Sequence, residues 1–245
     1  MSLYVLSDTH LSLTTDKPMD VFGSRWQHHD LRIREEWERT VVEDDTVVLA
    51  GDISWAMSME EAYPDLAYLD RLPGRKLIGR GNHDYWWGTV SKMRKFFIGE
   101  KGLSSIDFLC NNAYEADSFI ICGSRGWWGD EGLCPEDVDY EKIVAREAQR
   151  VGLSLSEGER LLAAARDRGE DRELLVFLHF PPVFRDYRCE EIIKVMQEHG
   201  VRRCFYGHIH NTYDIPAVFE DEGIEYAITS ADYLGFCPRR IEREA

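Results

Sequence analysis

Short continuous apolar runs alternate with longer amphipathic stretches along most of the chain. Leu3-Tyr4-Val5-Leu6, Thr46-Val47-Val48-Leu49-Ala50 and Leu174-Leu175-Val176-Phe177-Leu178 carry no polar residue on every second position. They therefore read as strands buried on both faces. Shorter runs at Lys76-Leu77-Ile78, Ile106 to Leu109, Ser118 to Ile121, Arg203 to Tyr206 and Glu225 to Thr229 extend the set. Between them, Leu31, Trp37 and Val41 recur near helical spacing in a helix expected from Leu31 to Val42. Further helices are expected over Met59–Leu72, Thr89–Phe97 and Glu190–His199. Pro64 belongs in the first turn of the second helix or breaks it, because proline lacks the amide hydrogen a helix interior needs. The polar stretch from Leu11 to Asp30, with Pro18 and Gly23, reads as a long loop of the kind that often carries function. Strand followed by helix, several times over, predicts an α/β chain with a parallel or mixed sheet.

The segment from Arg125 to Glu173 breaks this rhythm. It has no buried-strand signal and predicts two helices, about Tyr140–Arg150 and Ser156–Arg166, with a capping serine at Ser154 or Ser156. It reads as a helical insertion or cap on one domain spanning residues 1–245. A chain of 245 residues, 44% of them apolar, has enough material for one large core. A formal charge of −16 disfavours nonspecific binding to nucleic acid or anionic lipid, which need a cationic surface. The six cysteines are scattered without a Cys-x-x-Cys pair, as expected of free thiols in a reducing compartment. No apolar run approaches membrane-spanning length, and the first strand begins at Leu3, leaving no room for a signal peptide. A cytoplasmic location and no membrane partner follow as expectations; oligomeric state is not readable.

Chemistry gathers where the strands end. Asp8-Thr9-His10, Gly51-Asp52, Gly81-Asn82-His83-Asp84, His179 and Gly207-His208-Ile209-His210 all sit at such junctions. If strand geometry persists through Asp8, residues two apart face one side, and Asp8 and His10 reach one ion. His208 and His210 share an ion or serve one each. Asp52 has two carboxylate oxygens and can bridge, while Asn82 and His179 add a carbonyl oxygen and an imidazole nitrogen. Mixed nitrogen and oxygen donors suit manganese, iron, zinc or cobalt better than calcium. Two such ions clamp a phosphate and activate water for attack on phosphorus. His83 is then free to protonate the leaving alkoxide, with Asp84 orienting its ring.

These five segments, in this order, resemble the signature of the calcineurin-like metallophosphoesterase family, and they run from residue 8 to residue 210. The resemblance implies a four-layer α/β/β/α sandwich of two mixed sheets with the site at strand C-terminal ends. It implies Asp8, His10 and His210 on one divalent ion and Asn82, His179 and His208 on a second. Asp52 would bridge the two, a hydroxide between the ions would attack phosphorus, and His83 would contact phosphate. Manganese is the favoured metal. Protein phosphatases of the family continue their second segment as Gly-Asp-x-x-Asp-Arg-Gly. This chain reads Gly51-Asp52-Ile53-Ser54-Trp55-Ala56, which argues against phosphoprotein substrates. The expected substrate is a phosphate mono- or diester of a small molecule; a nuclease and a non-catalytic scaffold are the rival readings. Arg125, Trp127 and Trp128 are candidate substrate contacts, Arg125 because a guanidinium matches phosphate geometry. Trp86 and Trp87 are expected to pack, and His28, His29 and His199 to be ordinary solvent-facing or helix-terminal residues.

Overall fold

Every buried strand divides its side chains between two apolar layers, and that division sets the architecture. A computed structural model describes residues 1–127 and 139–243. In β1 (Leu3–Val5) Leu3 and Val5 face one way and Tyr4 the other; in β2 (Thr46–Leu49) Val48 opposes Val47 and Leu49. With β3 (Arg75–Ile78) and β4 (Ile106–Phe108) they form a parallel sheet. β13 (Arg239–Ile241) adds to it antiparallel beside β1.

The second sheet has the order β11-β12-β10-β7-β6-β5. Its parallel centre is β6 (Phe119–Ser124), β7 (Glu173–Leu178), β10 (Arg203–Tyr206) and β12 (Ile224–Ile228). Antiparallel β5 (Asn112–Ala116) and β11 (Val218–Asp221) close its edges. Leu3, Val5, Val48 and Leu77 meet Ile121, Leu175, Phe177 and Phe205 between the two sheets. Phe177 and Phe205 stack there with ring centroids 4.9 Å apart.

Helices cover both outer faces. α1 (His29–Thr40), α2 (Met59–Asp70) and α3 (Val90–Met93), which runs on into a π-helical turn at Arg94–Glu100, pack on the first sheet through Ile33, Trp37, Leu66 and Phe97. α4 (Tyr140–Asp167) and α5 (Glu190–Glu198) pack on the second through Val151, Leu155, Ile192 and Met196. A small hairpin, β8 (Val183–Phe184) with β9 (Tyr187–Arg188), precedes α5. The result is helices, sheet, sheet, helices: the four-layer sandwich with two mixed sheets. Among the described residues no helix is long and apolar enough to cross a membrane. Cys110, Cys122, Cys189, Cys204 and Cys237 are free thiols, and Cys134 lies outside the described residues.

Two local expectations are corrected, and one strand is new. Pro64 sits inside α2, past the first turn, and the helix continues through it. The carbonyl deprived of its partner is that of exposed Glu60, which water can serve. The strand β5 goes unnoticed in the sequence because its residues are half-exposed and polar, as an edge strand's are. Finally, the two helices expected between Tyr140 and Arg166 are one helix of 28 residues. Its interior Gly152, Ser154, Ser156 and Gly158 look like a break but include the helix–sheet contact. Ser154 Oγ donates to the Asn112 carbonyl at 2.6 Å and accepts from the Gly123 amide at 2.8 Å. A Cβ at Gly158 would lie 2.3 Å from Cys122 Sγ.

That close approach makes a prediction. Gly158→Ala is expected to destabilise the fold by about 1–3 kcal/mol through overpacking, despite alanine's higher helix propensity. Adding Cys122→Ala is expected to leave the double variant at least about 1 kcal/mol more stable than the two single effects sum to. Urea denaturation of the four proteins measures the coupling; simple additivity would mean that the contact carries no strain.

Candidate metal centre

The parallel strands of both sheets deliver their C-terminal ends to one place, and the backbone ties those ends together. The Ser7 amide donates to the Thr229 carbonyl at 2.8 Å, joining the loop after β1 to the end of β12 across the sandwich. The Asp8 amide donates to Gly51 and the His10 amide to Asp52, at 2.9 and 3.0 Å. Strand geometry does not persist through Asp8. Asp8, His10, Asp52 and His208 all have positive φ, between 44° and 70°. Each such residue costs about 1–2 kcal/mol relative to ordinary backbone, a strain the surrounding hydrogen bonds hold in place. The left-handed turns, not a pleat, aim these side chains inward.

Two clusters result. Asp8, His10 and His210 bring one ligand atom each to within 4.8 Å of one another, and so do Asp52, His179 and His208. In the first, His10 Nε2 and His210 Nε2 stand 3.1 Å apart, with Asp8 Oδ1 3.4 Å from the latter. In the second, His179 Nε2 lies 2.8 Å from Asn82 Oδ1. Asp52 Oδ2 is 3.8 Å from His10 Nε2 and 3.5 Å from His179 Nε2, so one oxygen faces both clusters. All seven sequence candidates for metal ligation therefore converge.

Two glycines make room for the carboxylates. A Cβ at Gly81 would sit 2.0 Å from Asp52 Oδ1, and one at Gly207 would sit 2.4 Å from Asp8 Oδ2. Main-chain donors hold the same groups: His83 N reaches Asp52 Oδ1 at 2.7 Å, and His208 N reaches both Asp8 oxygens at 3.0 Å.

The electrostatics fit divalent cations. Asp8 and Asp52 are buried, and burial, reinforced by Asp8 and Asp84, raises the Asp52 carboxyl well above the usual range. Burial pushes His10 and His179 well below the ordinary imidazole value and His208 down to about 3. These rings are neutral and have lone pairs to give. His210 is different: burial lowers it, but Asp8 and Asp232 more than offset that and raise it to about 10. Carboxylates taken out of water beside neutral imidazoles need positive charge, and oxygen and nitrogen donors of this kind suit a divalent transition metal.

The supporting residues are less visible in the sequence. Asp232, in the turn that follows β12, is buried and accepts from His210 Nδ1 at 2.9 Å, fixing which nitrogen faces the cluster. It also accepts from the Asn211 amide and the Tyr213 hydroxyl. No sequence reading singled it out, since a lone aspartate in Ser230-Ala231-Asp232 has no spacing signature. His179 Nδ1 is similarly paired with the Ala50 carbonyl at 3.2 Å. His29, expected to be ordinary, is buried behind the first cluster with Nε2 3.3 Å from the His10 carbonyl. Trp55 stacks on His10 at 5.0 Å and lies 4.4 Å from the His83 ring.

Asp84 does not orient the His83 ring. Its buried carboxylate accepts from the amides of Gly81, Asp52, Ile53 and Ser54 and from Trp86 Nε1. It clamps the Asp52 loop to the Asn82 loop, which explains both its position and the burial of Trp86. His83 is half-buried at the mouth, with Nδ1 3.5 Å from the Tyr85 hydroxyl; burial, then His210, lowers its pKa. Trp127 packs against the second helical layer, edge-on to Phe180 at 6.0 Å. Trp128 lies outside the described residues. Arg125 lies beside the second cluster: its carbonyl accepts from the His179 amide at 3.1 Å.

Comparison with known proteins gives the same picture. A family profile described as calcineurin-like phosphoesterase matches residues 1–212. The Gene 66 protein of Mycobacterium phage L5 is 36% identical over 58 residues, 24% of this chain. The chain spans 28% of the length of that curated relative. Among solved structures, a protein of unknown function from Aquifex aeolicus superposes with a TM-score of 0.53 at 16% identity, over 98% of this chain and 95% of that one. A phosphopantetheinyl hydrolase from Mycobacterium tuberculosis gives 0.51 at 15% identity, over 99% and 96%. At these identities the two structures share the fold.

Two predictions concern metal binding. Asp232→Asn is expected to weaken metal affinity by about 10–100-fold, the usual effect of losing the partner of a ligating histidine. Competition with a chromophoric chelator measures it; unchanged affinity would remove the assigned role. Because His210 is protonated up to about pH 10 before metal arrives, an ion on the first cluster must displace that proton. Affinity is therefore expected to rise with pH across the neutral range, and calorimetry in buffers of different ionisation enthalpy to show about one proton or more released. Zero release at pH 7 would contradict the assignment of His210.

Proposed function

Because the chain belongs to the calcineurin-like phosphoesterase family, a family of metal-dependent phosphoric ester hydrolases, we propose that it hydrolyses a phosphate ester of a small organic molecule at a two-metal centre. The observation that carries this reading is the single Asp52 oxygen facing both ligand clusters. Asp8, His10 and His210 hold one ion, and Asn82, His179 and His208 the other. Manganese is the favoured occupant. Bound in pairs, such ions lower the pKa of water to supply a hydroxide and neutralise charge building on the phosphoryl oxygens.

The chain's own residues do the remaining work. Asp8 and Asp52, held by main-chain amides, fix the spacing of the two sites. Trp55, stacked on His10, walls one side against water. His83 stands at the mouth, anchored through its amide to the bridging Asp52, with its ring free of the Asp84 clamp. There it donates a proton to the ester oxygen as the P–O bond to the alcohol breaks, so that the alcohol leaves neutral. The formal charge of −16 favours a small substrate over nucleic acid, and the absence of the Asp-Arg-Gly continuation after Asp52 argues against phosphoproteins.

His83→Ala is expected to keep its metals and lose about 10²–10⁴-fold in kcat, the range for a general acid. Asp52→Asn is expected to lose bound metal as well as turnover. The assay is hydrolysis of p-nitrophenyl phosphate and bis-p-nitrophenyl phosphate with added Mn²⁺, alongside elemental analysis of each protein. Full turnover by metal-loaded His83→Ala would remove its role. Preference between the two esters separates a monoesterase from a diesterase.

A further inference from the structure

Two guanidinium groups beside the second cluster have neither a hydrogen-bond acceptor nor an ion pair among the described residues. Arg80 Nε and Arg125 Nε are both buried without an acceptor, and neither side chain makes an ion pair there. Both line a cavity of about 170 Å³, together with Trp87, Arg150 and Glu147. Arg150 is paired with Glu147, whose other carboxylate oxygen is unpartnered. Two arginine charges are therefore left over. Burying a cation without a paired anion in contact is costly: burial, then Arg80, lowers the pKa of Arg125, and the more distant charges of Glu147, Asp52 and Asp84 offset this only in part.

The cavity is fixed to the metal centre at both shoulders. Arg80 stands two residues before Asn82 on the loop after β3. Arg125 follows β6, and its carbonyl accepts from the amides of His179 and Phe180 at 3.1 and 3.0 Å. Its guanidinium lies over the Phe180 ring, 5.1 Å from the centroid, which holds its plane. Pockets that take whole small ligands run to roughly 300–1,000 Å³, so this cavity accommodates one group of a substrate and not all of it.

We propose that Arg80 and Arg125 form a subsite for a second anionic group, phosphoryl or carboxylate, on the same molecule whose ester is hydrolysed at the metals. This rests on the phosphoesterase reading above and narrows its substrate class to small organic phosphates with two anionic ends. A planar guanidinium matches either oxyanion with paired N–H donors, and a second anion there supplies the missing counter-charge. Arg80 precedes the Gly-Asn-His-Asp segment, and nothing in the sequence pattern singled it out.

The test uses the full chain loaded with Mn²⁺ and α,ω-alkanediol phosphates of two to six carbons. Each length is offered with the far end as hydroxyl, carboxylate or phosphate. At one or two lengths the anionic-ended ester is expected to exceed the hydroxyl-ended one by at least tenfold in kcat/KM, mainly through KM. In Arg80→Gln and in Arg125→Gln that ratio is expected to fall to about one. The carboxylate and phosphate arms identify which oxyanion is preferred. No preference at any length, or one that survives both substitutions, would overturn the subsite. If no ester is turned over, the phosphoesterase reading fails, and calorimetric binding of the bisphosphates still decides the subsite. A tenfold loss of affinity in both variants supports it; equal affinity removes it.

Discussion

Two carboxylates without water, Asp8 and Asp52, are the constraint around which the rest of the molecule is arranged. Neither has a lysine or arginine ion-pair partner among the described residues. Apart from each other and Asp84, the chargeable groups around them are histidines, and three of those are held neutral by burial. Main-chain amides stabilise the carboxylates in part, and His210, protonated between Asp8 and Asp232, stabilises them further. The remaining deficit of positive charge is what divalent cations would supply. A site assembled this way is poorly satisfied empty and well satisfied loaded.

Holding such a site open requires a scaffold that cannot relax around it. The sandwich provides one by burying both faces of each central strand, so that the strand ends are fixed by Val5, Val48, Leu77, Phe177 and Phe205 behind them. The turns that follow leave strand geometry at once, through positive φ at Asp8, Asp52 and His208. Asp84 then ties the Asp52 turn to the Gly81–Asn82 loop with five donors. Its conspicuous place next to His83 suggests a catalytic partner, yet its hydrogen bonds show a clamp.

Doubly buried strands have an unmistakable composition, so the alternation of strands and helices was legible in the sequence, and the ligand set was legible because it clusters at the strand ends. The pairing of two sheets was implied only by the family resemblance of those segments. What stayed hidden has physical reasons. Edge strand β5 lacks the apolar run. The small residues of α4 imitate a helix break because close packing and chain flexibility select the same amino acids. The expected pleat between Asp8 and His10 is mistaken geometry, although left-handed turns bring the two side chains together all the same. Asp232 and His29 reach the first cluster through contacts distant in sequence that no local spacing records.

The most direct measurement is anomalous diffraction at the manganese edge from crystals of the Mn²⁺-loaded protein. Two peaks are expected, one among Asp8, His10 and His210 and one among Asn82, His179 and His208, with the Asp52 carboxylate between them. A single peak, or two peaks that do not share Asp52, would contradict the bridged centre on which the proposed chemistry depends.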